Sequence, residues 1–186
     1  RRLGNGRLVG HNTDVYGFEK LAKEKRIRGR KVLVLGTGGA SSAICQALWN
    51  LGAKEIIRVS RNRRPEPDCC TYDELNRHSD AQVIVNSTPI GMYPNNGHSP
   101  LDGCSVKWTD FQQLETALDA IYNPYRTKFL MDAEEAGAEV ESGLAMLVYQ
   151  GLRSAQIWGE VPRSGKGRRI VAEQTRGENG RKKEKR

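Results

Sequence analysis

Six residues, Gly36-Thr37-Gly38-Gly39-Ala40-Ser41, follow the apolar run Val32-Leu33-Val34-Leu35 and match the pattern G-x-G-x-x-small. A first glycine permits a tight turn, and a second lets backbone approach a pyrophosphate. A small residue at the third place allows close packing of helix on strand, and the helix N-terminus then faces the diphosphate. A lone glycine turn can be purely structural. This one follows an apolar strand and opens an amphipathic helix, the context in which the motif binds a dinucleotide. A second cluster lies 25 residues after Gly36. Ser60-Arg61-Asn62-Arg63-Arg64 falls where an NAD site carries an acid for the ribose 2′-hydroxyl, and no acid occurs there before Glu66. A carboxylate would repel a 2′-phosphate, whereas guanidinium groups pair with one in a fork. NADP is therefore the expected cofactor, the alternative being a solvated charge run. No Cys/His zinc spacing is present, and no metal site is expected.

Alternating strands and helices must hold these residues. Asn12-Thr13-Asp14 offers capping side chains, with Tyr16, Phe18, Leu21 and Ala22 following at helical spacing. Val32–Leu35 reads as a strand buried on both faces. Residues 40–51 read as a helix closed by Gly52, and 55–60 as a second strand. Residues 61–68, with Pro65 and Pro67, read as loop. Val83-Ile84-Val85 is a third strand running into Asn86-Ser87-Thr88-Pro89, and 89–100 is a loop rich in Gly, Asn and Pro. Another strand is predicted over 117–122, then helices over about 127–136 and 144–158. The last places Leu144, Leu147, Tyr149 and Ile157 on its apolar side. This order predicts an α/β fold of the Rossmann type, a doubly wound parallel sheet with ligands at the carboxyl ends of the strands.

Composition narrows the function classes. The chain has 186 residues, with 30 Lys+Arg against 22 Asp+Glu, a formal charge of +8. Residues 163–186 hold ten of the basic and three of the acidic groups, so +7 sits in that segment and the rest is nearly neutral. The nearly neutral body argues against a basic face spread over the fold, and nucleic acid is not an expected partner. No apolar run approaches the length of a membrane span, and the start shows no signal-peptide pattern. Cys45, Cys69, Cys70 and Cys104 read as reduced thiols of a cytoplasmic protein. The opening Arg1-Arg2-Leu3, without Met, is expected of a chain whose N-terminus is missing.

The remaining motifs occur in a fixed order: Asn12-Thr13-Asp14 with Gly17; the glycine turn; Ser60-Arg61-Asn62; Asn86-Ser87-Thr88-Pro89-Ile90-Gly91-Met92; Asp119-Ala120-Ile121-Tyr122-Asn123-Pro124 with Thr127; and Gly143-Leu144-Ala145-Met146-Leu147 with Gln150. The series, over about residues 3–160, closely resembles the shikimate dehydrogenases. That resemblance implies NADPH-dependent reduction of 3-dehydroshikimate to shikimate, in chorismate and aromatic amino acid biosynthesis. It implies an N-terminal substrate domain, of which 1–27 would be the end and linker helix. Residues 28–142 would be the Rossmann NADP domain, and 143–160 a helix returning to the first domain. The basic stretch 161–186 has no counterpart in the family, and its few apolar residues make it read as a disordered tail.

By the same resemblance, Asp14 is the catalytic aspartate at the reacting hydroxyl, beside a lysine that it holds charged and oriented. On its own Asp14 would read as a helix-capping acid. The cofactor residues implied are Gly36, Thr37, Gly38, Gly39, Ala40, Ser41, Ser60, Arg61, Asn62 and Arg64, with Thr88, Pro89, Gly91, Met92, Ala120 and Gly143 near the ribose and nicotinamide. Asp14, Tyr122 and Gln150 would contact the substrate, whereas Met146 and Leu147 read as packing. The family's catalytic lysine, its paired serines for the substrate carboxylate and an asparagine would lie before residue 1. Lys20, Lys23 and Lys25 follow Asp14 in the wrong order to replace that lysine. Pro65 stands where the family often has a further basic residue, leaving Arg63 or Arg64 to serve.

The chain is therefore expected to bind NADP(H) and to turn over shikimate weakly or not at all. Losing a proton donor alone costs about 10²–10⁴-fold. Uncovered apolar surface on helices 12–25 and 144–158 predicts self-association, such as a homodimer. Three rivals remain. One is a quinate/shikimate dehydrogenase using NAD. Another is the related Rossmann domain of folate or glutamyl-tRNA reductases, which leaves Asn12-Thr13-Asp14 and Gln150 unexplained. The third is a nucleotide-binding domain whose basic tail binds nucleic acid, nonspecifically and salt-sensitively, since that tail has no aromatic residue.

Overall fold

The computed structural model describes residues 3–159. The basic segment singled out in the sequence lies outside the described residues. Six parallel strands form one sheet in the order β3-β2-β1-β4-β5-β6. They are β1 (Lys31–Leu35), β2 (Glu55–Ser60), β3 (Cys69–Thr71), β4 (Val83–Asn86), β5 (Thr116–Asp119) and β6 (Glu139–Glu141). Among the described residues four α-helices accompany them: α1 (Thr13–Leu21), α2 (Gly39–Asn50), α3 (Lys128–Glu135) and α4 (Leu144–Trp158). The strand order reverses at β1 and β4, and the helices cover both faces, as the α/β expectation requires.

Alternation along β1 sorts the core. Val32 and Val34 face a cluster with Ile44, Ala47 and Leu48 of α2, Phe18 and Leu21 of α1, and Met146 of α4. Leu33 and Leu35 face the opposite cluster, with Phe129, Leu130 and Ala133 of α3 and Leu75 of the 3₁₀ helix Tyr72–His78. Each central strand is therefore apolar at successive positions, because both of its faces are covered.

Several sequence expectations need adjustment. The strand predicted over 117–122 ends at Asp119. The Asp119 side chain accepts a hydrogen bond from the backbone N–H of Ile121, turning the chain away from the sheet. The three-residue strands β3 and β6 were not expected. The 3₁₀ helix at Tyr72–His78 is also new, and starts in a capping box between Thr71 and Glu74. On α4, Met146 is the buried residue, whereas Leu147 and Trp158 face outward. The four cysteines are unbridged. No helix among the described residues is long and apolar enough to cross a membrane.

Candidate functional site

Parallel register brings the carboxyl ends of β1, β4 and β5 level, since Leu35 pairs with Asn86 and Asn86 with Asp119. Backbone bonds carry the alignment just past the strands. Gly36 N donates to Val59 O at 2.8 Å, Ser87 N to Leu35 O at 2.9 Å, and Ala120 N to Asn86 O at 2.9 Å. The glycine turn, the Ser87–Met92 loop and the end of β5 thus meet at one edge.

Gly36 has φ +106°, and a Cβ there would stand 2.8 Å from Ser87 Oγ and 3.0 Å from Thr88 Cγ2. Only glycine fits this conformation and this approach. Ser87 holds the opposite side by donating its hydroxyl to Leu35 O at 2.7 Å. Gly38 and Gly39 differ in kind, because a Cβ on either would meet nothing within 4 Å. Both are exposed and front the first turn of α2, whose N–H groups lack intrahelical partners. That open cradle is where a diphosphate would lie. Thr37 and Ala40 flank it half-buried, and Ser41 is buried in the first turn of α2.

At the end of β2, Ser60 is buried and accepts a hydrogen bond from Arg64 Nε at 3.4 Å. Arg61, Asn62, Arg63 and Arg64 are exposed. None of the three arginines closes a salt bridge among the described residues. The nearby Asp68 is already engaged by Arg58 through two bonds of 3.0 Å, which hold its pKa below the usual carboxylate range. The charge on offer beyond β2 is positive, and it fits a 2′-phosphate better than a 2′-hydroxyl.

The Thr88 loop is fixed from beneath. Asn86 Oδ1 accepts from Thr88 N at 2.9 Å and from Thr88 Oγ1 at 2.7 Å, and Ile90 N donates to Thr88 Oγ1 at 3.2 Å. Pro89 and Met92 are exposed at its rim. Gly91 turns with φ +113°, its α-carbon packed toward Ile121 and Thr127. Gly143 closes the site from the last helix, donating its N–H to Ile121 O at 2.9 Å and lying against Ala120.

The substrate-side candidates stand on α1, α4 and the loop after β5. Asp14 is exposed in the first turn of α1, and Asn12 caps the helix by accepting from Asp14 N at 3.0 Å. Among the described residues no lysine pairs with the Asp14 carboxylate. Lys25 is bound instead to Glu139 and Glu141, and Lys20 lies over the Tyr16 ring. Gln150 is tied to the residue beside Asp14. Thr13 Oγ1 lies 3.5 Å from Gln150 Oε1, and Ser154 Oγ donates to Thr13 Oγ1 at 3.2 Å. The two helices approach closely because Gly17 leaves room, since a Cβ there would stand 2.6 Å from Met146 O. Tyr122 is 49% exposed on the loop after β5.

Three residues with no role assigned from the sequence sit under this edge: Asn86, Asp119 and Thr127. All are buried, and they are hydrogen-bonded to one another through Asp119. For Asn86 and Asp119 the available signal was a polar residue at the end of a strand.

No family model matches the chain. It is 35% identical to the shikimate dehydrogenase (NADP(+)) of Bacillus cereus strain G9842, over 93% of this chain and 67% of that protein. Its fold matches shikimate dehydrogenase 1 of Peptoclostridium difficile with a TM-score of 0.78 and 31% identity, over 95% of this chain and 65% of the other. It matches a chorismate mutase/shikimate 5-dehydrogenase fusion protein of Clostridium acetobutylicum with a TM-score of 0.73 and 37% identity, over 88% and 58%. The chain thus spans about three-fifths to two-thirds of the length of these proteins.

Proposed function

Because the chain belongs to the shikimate dehydrogenase family, we propose that it supplies the NADP(H) site and one wall of the substrate site for the interconversion of shikimate and 3-dehydroshikimate. The observation that carries this reading is the meeting of Gly36, Thr88, Ala120 and Gly143 at one sheet edge, with an arginine cluster at the end of β2 that closes no salt bridge among the described residues. When bound, NADP(H) supplies the hydride exchanged with the carbinol carbon. The open backbone at Gly38 and Gly39 admits the diphosphate, and the first N–H groups of α2 receive its charge. Arg61 and Arg64 take the 2′-phosphate, with Ser60 holding Arg64. Thr88, Gly91, Ala120 and Gly143 present backbone and small side chains to the ribose and nicotinamide.

Asp14 accepts a hydrogen bond from the reacting hydroxyl, and Tyr122 and Gln150 contact the substrate's polar groups. In this reading 28–142 is the cofactor domain, while α1 and α4 form the junction with substrate-binding residues. The cytoplasm is the proposed location, which the four unbridged thiols fit.

The test is calorimetric titration of the chain with NADP+ and with NAD+, followed by shikimate-dependent NADP+ reduction. NADP+ is expected to bind at least tenfold tighter than NAD+. Equal or tighter NAD+ binding overturns the cofactor assignment in favour of the NAD-dependent quinate/shikimate alternative. Turnover is expected far below the roughly 10 s⁻¹ of an ordinary enzyme, since no lysine accompanies Asp14 among the described residues.

A further inference from the structure

Asp119 ends β5 fully buried, and both of its carboxylate oxygens are in use. Oδ1 accepts from Asn86 Nδ2 at 3.1 Å and from Ile121 N at 2.9 Å, and Oδ2 accepts from Thr127 Oγ1 at 2.6 Å. Asn86 then passes the constraint on. Its amide nitrogen faces two groups that can only accept, the Asp119 carboxylate and Ile90 O at 3.2 Å. Its amide oxygen is thereby turned toward Thr88, where it takes both the backbone N–H and the hydroxyl. An asparagine without such a neighbour could present either end. The second arm runs through Thr127, which caps α3 by accepting from Leu130 N at 3.3 Å and packs under Gly91.

We propose that Asp119 is a positioning residue of the cofactor site: by fixing the orientation of Asn86 and the place of Thr127, it holds the Thr88–Gly91 loop in the conformation that meets the nicotinamide half of NADP(H). The inference rests on the NADP(H) reading above. Asp119 itself has no exposed surface, so it acts only through its partners.

The experiment compares NADP+ affinity by calorimetry with amide hydrogen exchange at Thr88 and Ile90, in the wild-type chain and in variants. Asp119→Ala frees the Asn86 amide. It is expected to weaken NADP+ binding about tenfold or more, the scale of one lost charge-assisted hydrogen bond, and to speed exchange at those two amides. Asp119→Asn keeps an acceptor facing Asn86 and is expected to recover most of the affinity. A role in stability alone would lower the melting temperature and leave the affinity of the folded protein and the exchange at Thr88 unchanged, and that result overturns the proposal. Should Asp119→Ala not fold, Thr127→Val against Thr127→Ser decides the matter. A several-fold loss with valine, restored by serine, supports the inference, and wild-type affinity with valine overturns it. A wild-type chain that does not bind NADP+ overturns the cofactor reading and this inference with it. Binding by wild type with unchanged variants overturns this inference alone.

Discussion

Gly143 lies against Ala120 so closely that a Cβ added to it would stand 2.1 Å from the Ala120 carbonyl oxygen. The neighbour is backbone at the end of a central strand, so no side chain can swing away to make room. Gly143→Ala must displace either the start of α4 or the end of β5. It is expected to lower stability by about 1–3 kcal/mol, the usual cost of forcing a methyl into a packed site, and to weaken NADP+ binding. Urea unfolding with an unchanged midpoint would refute the close approach.

Gly36 and Gly38 should respond differently to alanine. Gly36→Ala faces both a positive φ and the Ser87 hydroxyl at 2.8 Å, so stability and NADP+ binding should fall together. Gly38→Ala meets nothing within 4 Å and has φ −84°, which alanine tolerates. It should unfold like wild type yet lose NADP+ affinity, because the added methyl would enter the space proposed for the diphosphate. A Gly38→Ala protein that binds NADP+ normally would remove the diphosphate from this turn.

The arginines beyond β2 should set the choice between the two dinucleotides. Replacing Arg61 and Arg64 by alanine is expected to weaken NADP+ binding about 10- to 100-fold, as for lost hydrogen bonds to a charged group. NAD+ affinity, which lacks the 2′-phosphate, should change little. Parallel titrations check this, and an equal loss for both ligands would count against it.

Burial pushes the Asp119 carboxyl up to about 6, with bonds from Thr127, Ile121 and Asn86 offsetting part of the rise. Between about pH 4 and 6 the folded chain therefore holds a proton there that the unfolded chain has already released, and above about 6 Asp119 is a carboxylate in both. The stabilisation from this group is complete below the unfolded value and is lost as pH rises through about 6. Wild-type stability relative to Asp119→Asn should fall by about 2 kcal/mol between pH 4.5 and 7.5. Taking the difference between the two proteins cancels carboxylates such as Asp68 and Asp80, which titrate low and push the other way. Parallel unfolding curves at the two pH values would show that Asp119 is not desolvated as described.

Much of this architecture was legible in the residues. The strand at Glu55–Ser60 stands where apolar spacing puts it, because four of its six residues are buried. The helix at Leu144–Trp158 has the expected bounds, but it buries Met146 rather than the stripe that the spacing put on its apolar side. β6, with Glu139-Val140-Glu141 at a sheet edge, was not legible: three residues with two acids carry no period, and only pairing with β5 makes them a strand. The end of β5 was misplaced because Ile121 and Tyr122 look like strand residues, and the turn is made by a side-chain bond that spacing does not reveal. Within the site, the glycine turn was legible because its residues are contiguous. The Asn86–Asp119–Thr127 set was not, since its members are 33 and 8 residues apart and meet only once the sheet is assembled.

The contact of α1 with α4 has a kinetic side. Thr13 and Gln150 touch across a separation of 137 residues, with the whole sheet between them in sequence. The free-energy cost of closing a loop grows only as the logarithm of its length, by about 0.6 kcal/mol for each doubling. It does delay the contact, since so long a loop closes readily only after the intervening strands have condensed. Gly17 and Met146 are therefore expected to come together late in folding, and the proposed position of Asp14 is expected to be reached only when the rest of the described chain is in register.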